Sequence, residues 1–85
     1  MADEEKYTLY RTSDIYFASY LCAVEVVLET TERETVDDRS KVVFVFRVPK
    51  NKIDRLRAGF FGGHATVKVQ AYVQAIRNLK QMCFV

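Results

Sequence analysis

The run Lys41 to Val48 (KVVFVFRV) narrows the choice of fold more than any other part of this chain. Its β-branched and aromatic residues alternate with period two, the signature of a strand. Val42, Phe44, Phe46 and Val48 share one face, and Val43, Val45 and Arg47 share the other. A second run, from Val24 through Thr31, is rich in Val, Leu, Thr and Glu in partial alternation. The polar stretch Glu32 to Ser40 separates the two and contains Asp37-Asp38, residues that suit a turn. Together these features predict an antiparallel hairpin. Its ladder would set Glu25, Glu29 and Glu32 near Lys41 and Arg47, where opposite charges contribute on the order of a few tenths of a kcal/mol each.

The flanking segments read as helices. Thr12 and Ser13 offer hydroxyl caps, and Asp14 stands where a carboxylate meets the positive end of a helix. The following Ile15 to Ala23 (IYFASYLCA) is apolar around nearly its whole circumference, which calls for cover from the domain or from another subunit. Before it, residues 1–6 are polar and unpatterned, a disordered end, and Tyr7, Leu9 and Tyr10 form a short extended entry. After the hairpin, Pro49 opens a short helix with Ile53, Leu56 and Phe60 on one side, closed by Gly62-Gly63. Thr66 caps a third helix whose stripe is Val69, Tyr72, Val73, Ile76, Leu79 and Cys83. The expected architecture is α+β: helix, antiparallel hairpin, then two helices. Its expected core is Ile15, Leu21, Val26, Leu28, Phe44, Phe46, Ile53, Leu56, Tyr72, Ile76 and Leu79.

At 85 residues the chain holds one core, so residues 7–85 are read as a single domain. A domain this small leaves part of its 49% hydrophobic content outside that core. The apolar first helix and the ending Met82-Cys83-Phe84-Val85 therefore point to a homodimer. Cys22 and Cys83 are too few and too far apart for a disulfide framework and are expected to be reduced thiols. The acidic start, Met1-Ala2-Asp3-Glu4-Glu5, is unlike a secretory signal, and no apolar run approaches a membrane span. A cytoplasmic protein is expected, with no membrane contact.

The stretch Tyr10-Arg11-Thr12-Ser13-Asp14-Ile15-Tyr16-Phe17-Ala18-Ser19-Tyr20-Leu21 resembles the opening of a family of small prokaryotic and phage proteins known only as a domain of unknown function. Val43-Phe44-Val45-Phe46, Phe60-Phe61-Gly62-Gly63 and the ending Tyr72-Val73-Gln74-Ala75-Ile76-Arg77-Asn78-Leu79-Lys80 resemble it too. The likeness spans about residues 7–82. It implies the same element order and phage or mobile-element surroundings, and it carries no catalytic or binding residue with it.

Charge is the main functional pointer. Residues 1–38 hold ten acids against three bases, a net of −7, and residues 39–85 hold ten bases against Asp54, a net of +9. Within the second half Arg47, Lys50, Lys52, Arg55, Arg57 and Lys68 surround one short helix, the footprint of a polyanion contact. They are the candidate nucleic-acid-binding residues. With Ile53, Leu56 and Phe60 inward, Lys50 and Arg57 flank one edge of that helix, and Lys52 and Arg55 the other. Site chemistry of other kinds is missing from the sequence. His64 is a lone loop histidine, Gly62-Gly63 lacks the residues of a phosphate loop, and Asp37-Asp38 lacks metal-ligand spacing. No enzyme activity, metal or small-molecule cofactor is expected.

Two readings follow. One is an accessory protein that binds DNA or RNA backbone without sequence preference through its basic half. The alternative is a small protein-interaction module, homodimeric or an inhibitor of a larger protein partner, with no nucleic-acid contact. Exposed aromatics beside the basic fringe would favour the first. A continuous apolar patch would favour the second.

Overall fold

The computed structural model describes residues 6–83. The expected disorder of residues 1–6 lies, for residues 1–5, outside the described residues, as do Phe84 and Val85 of the expected apolar ending. Six elements follow in order: β1 (Tyr7–Thr12), α1 (Ile15–Ala23), β2 (Val27–Val36), β3 (Arg39–Pro49), α2 (Lys50–Phe61) and α3 (Val69–Cys83). The fold is α+β. A three-stranded antiparallel sheet of order β1-β3-β2 carries the helices on one side.

The run that reads as a strand is the middle one. β3 pairs with β2 as its hairpin partner and with β1 on its other edge, where Leu9 faces Arg47 and Tyr10 faces Phe46. The short extended entry is thus a full edge strand. β2 also runs further than its sequence pattern suggests, because polar Glu32 to Val36 continue the ladder down to Val36 facing Arg39. Only Asp37 and Asp38 make the turn, with φ of 51° and 66°. Positive φ at both positions is the two-residue hairpin geometry that matches strand twist, and Asp tolerates it better than most residues. A bulge between Leu28 and Thr30 leaves Glu29 out of register.

Asp14 itself is the N-cap of α1, its Oδ1 accepting from the backbone N–H of Tyr16 at 2.9 Å and of Phe17 at 3.3 Å. Thr12 supports it one step back, its hydroxyl oxygen accepting from the Asp14 N–H at 3.1 Å. A carboxylate outcompetes the hydroxyls expected in this role because it accepts two orphan donors at once. α1 ends at Ala23, and Glu25 takes φ of 67° to turn the chain into β2. Gly62-Gly63 does close α2: Gly63 has φ of 79°, and a Cβ on Gly62 would stand 2.6 Å from the Ala58 carbonyl oxygen. Thr66 does not cap α3, which begins three residues later with the Lys68 carbonyl accepting from the Tyr72 N–H at 3.0 Å.

The core lies between sheet and helices. Phe17, Ala18, Ser19, Tyr20 and Leu21 of α1 are buried against Phe44, Phe46 and Val48 of β3 and Leu79 of α3. Of the expected core, Leu21, Phe44, Phe46 and Leu79 are fully inside, whereas Ile15, Val26, Leu28, Ile53, Leu56, Tyr72 and Ile76 are half-buried. Phe17 is the centre that periodicity does not single out in an all-apolar helix. Its ring sits 5.7 Å from Tyr10, 5.3 Å from Phe60 and 5.1 Å from Phe61. On α3 the buried stripe passes through Ala75 and Leu79, and Val69 and Val73 are exposed. Tyr72, Ile76 and Cys83 of the expected stripe are half-buried beside Leu79, so its inward part holds and only its valine edge faces out.

Phe17→Ala should cost about 3–5 kcal/mol, the usual range for emptying a fully buried aromatic site, read as a lower urea midpoint. Ser19 behaves oppositely. Its Oγ is buried without a hydrogen-bond partner, so Ser19→Ala should stabilise by roughly 1 kcal/mol, the penalty of an unsatisfied hydroxyl.

Candidate nucleic-acid interface

α2 (KNKIDRLRAGFF) is built to lie on a surface. Ile53, Leu56 and Phe60 are half-buried against the core, and no residue of the helix is fully buried. Its outer surface therefore carries Lys50, Lys52, Arg55 and Arg57 against the single acid Asp54. Four of the six expected binding residues thus stand on one helix. Arg57 lies with its guanidinium 5.9 Å from the centre of the Tyr10 ring, within cation–π range. Among the described residues, Lys50, Lys52 and Arg55 have no carboxylate partner. Lys52 lies on the other edge, lining a shallow groove with Val24, Glu25 and Val26.

The remaining two are placed differently. Arg47 points to the sheet face away from the helices, where its Nε meets Glu29 Oε1 at 2.8 Å. It approaches the helical cations only at the end of the sheet, in the groove it shares with Lys52. Lys68, in the segment before α3, borders a different groove of about 720 Å³ formed by α1, β2 and α3. Sequence distance alone cannot reveal this division, since alternation in β3 sends Arg47 to the opposite face from its neighbours Phe46 and Val48.

Four acids of the first half, Asp14, Glu29, Glu32 and Glu34, have partners among the described residues. Glu32 and Glu34 both pair with Arg11, the latter at 3.7 Å, and Glu34 also lies 3.7 Å from Lys41. Asp14 caps α1. The expected proximity of the β2 glutamates to Lys41 and Arg47 holds for Glu29, while Glu32 meets Arg11 across the sheet and Glu25 lies in the turn before β2. Arg11 is the partner that a two-strand picture leaves out, because it comes from β1.

Aromatic exposure adds to the picture at both ends of α2. Phe61, in its last turn, is 61% exposed although it touches Phe17 and Phe60. Tyr7 is 44% exposed and lines a hollow with Lys6, Pro49, Lys50 and Asn51 at the helix start. His64 stands exposed in the loop after Gly63. Among the described residues, no three His, Cys, Asp or Glu side chains come together in a way that could hold a metal ion, and no helix is long and apolar enough to cross a membrane.

Fold and surface define a small α+β domain that presents a basic, aromatic-flanked helix over an antiparallel sheet. The chain belongs to the family described as a domain of unknown function (DUF5659), whose model matches residues 7–85. No curated protein and no solved structure matches it.

Both cysteines are free thiols, and burial pushes the Cys22 thiol above its ordinary pKa. Burial, and secondarily the Asp14 carboxylate and Tyr16, raises the Tyr72 hydroxyl as well, consistent with its donating to the Tyr16 carbonyl at 3.2 Å. The reactive form of Cys22 is the thiolate, so its alkylation by iodoacetamide at neutral pH should run slower than that of a free peptide cysteine. Mass mapping of the labelled sites over a pH series should show the Cys22 rate overtaking only at alkaline pH.

Proposed function

We propose that this domain is an accessory protein that binds the phosphate backbone of DNA or RNA without sequence preference, with α2 as the contact element. The observation that carries the reading is the set Lys50, Lys52, Arg55 and Arg57, set on one exposed helix with only Asp54 among them. Cations without carboxylate partners keep their attraction for an external anion, whereas Arg47 has part of its field cancelled by Glu29. Exposed Phe61 and Tyr7 at the two ends of the helix offer rings on which unpaired bases can stack. Single strands are therefore the preferred form. Free thiols at Cys22 and Cys83 suit a reducing, cytoplasmic setting, and a phage or mobile-element context is the one that the likeness of residues 7–82 implies.

Titration of labelled single- and double-stranded oligonucleotides at about 50 mM salt is the direct test. If the four α2 cations each meet a phosphate of duplex DNA, log affinity falls against log salt with a slope near −3.6, from about 0.9 per phosphate. Arg55→Glu with Arg57→Glu weakens binding to all sequences alike and flattens that slope, because phosphate contacts position without specifying. Arg47→Glu has the smaller effect. Absence of binding to either form of oligonucleotide removes this function from the isolated domain.

A further inference from the structure

The sheet has a second face, and its composition is unlike that of a solvated surface. In an antiparallel sheet wetted on one side, the outward positions of the central strand are normally polar. Here the outward positions of β3 include Val43 and Val45, and the row on either side of Arg47 consists of Leu9 on β1 and Val27 on β2. Leu9 is 62% exposed and Val27 56%, with Tyr7 one pair further along. No helix lies on this side among the described residues.

From this face we infer that the protein is a homodimer in which two copies stack sheet on sheet, Leu9 and Val27 of one against the same residues of the other. Charge selects a second copy as the occupant. The face carries Arg11, Arg39, Lys41 and Arg47 against Glu29, Glu32 and Glu34, and all but Arg39, at the hairpin end, are already joined in ion pairs among the described residues. Two such faces, each close to neutral, meet with little net repulsion, and each offers both signs to the other. The helix side cannot serve in this way, because α2 would bring four cations against four. A polyanion is a poor occupant of the same face, since a nearly neutral, largely paired surface gives it little attraction. Packed sheets stand about 10 Å apart, enough for the exposed Leu9 and Val27 side chains to interdigitate. The apolar first helix is not the interface, because α1 spends its surface inside its own domain. The dimer leaves α2 outward on both sides and does not depend on nucleic acid.

Sedimentation equilibrium of the full chain, from about 10 μM to 1 mM, reads the association directly, with dimers of this class spanning micromolar to far tighter affinities. The expected result is a reversible dimer. Leu9→Glu and Val27→Glu, each at an already exposed site and each checked for an unchanged melt, should raise its dissociation constant by at least about tenfold, because each places a charge in a desolvated contact. Val69→Glu on α3, exposed and far from the sheet face in sequence and element, should leave it unchanged. A monomer throughout that range, or a dimer that survives both sheet-face substitutions or is broken by Val69→Glu, overturns the proposal. Oligonucleotide binding by a monomeric Val27→Glu variant separates this result from the fate of the α2 reading.

Discussion

The structure depends on one strand having two apolar faces. β3 lies between β1 and β2, so every backbone bond of the sheet runs through it, and its Phe44, Phe46 and Val48 supply the floor on which α1 rests. Burial of each such side chain contributes roughly 1.5–3 kcal/mol, a large share of the stability that a domain this small can reach. The other face obtains its cover from charged side chains. Val43 and Val45 are only 5% and 3% exposed although no helix covers them. Arg11, which faces Val45 in the register, reaches from β1 across β3 to Glu32 and Glu34 on β2. Exposed ion pairs add little energy by themselves. Here they matter by holding methylene groups over valines.

That arrangement accounts for the opposed halves of the sequence. The acidic half contributes β2, whose glutamates pair with Arg11, Lys41 and Arg47, and apart from Arg39 at the hairpin end the bases of the second half left without an acid belong to the helices and their loops. A charge division along the chain therefore becomes a division between layers. Arg47 illustrates the rule: it is one of the bases by sequence count, yet strand alternation makes it a member of the nearly neutral sheet face.

What was legible in the sequence follows the same logic. Period two in Lys41 to Val48, the Asp37-Asp38 turn and the Gly62-Gly63 stop are local signals, and local geometry realises each of them. β1 is not local. Tyr7 to Thr12 has weak alternation of its own and becomes a strand because β3 has a free edge to offer. Phe17 escapes notice for the opposite reason: where a whole helix is apolar, periodicity contains no direction, and only the neighbours Tyr10, Phe60 and Phe61 select the buried side. On α3 the expected stripe is inward at Tyr72, Ile76, Leu79 and Cys83, and only its edge residues Val69 and Val73 are exposed. For the candidate site, the four cations of α2 could be read from spacing, while the separate positions of Arg47 and Lys68 required the topology.

Layer separation also bears on how the two signs act on an external anion. The molecule is 20 Å across its shortest axis, and at physiological salt a charge is screened over about 8 Å. An anion lying against α2 thus meets Lys50, Lys52, Arg55 and Arg57 within one screening length, whereas the β2 glutamates act on it from across the domain and through their own paired bases. At about 0.01 M salt the screening length grows to roughly 30 Å, longer than the domain's shortest axis, and the whole-chain charge of only +2 comes to weigh on the anion. Attraction by the helix and indifference of the whole molecule are then two limits of one charge distribution. The fold moves between them by gathering unpaired cations on the helical layer while the sheet keeps its charges paired.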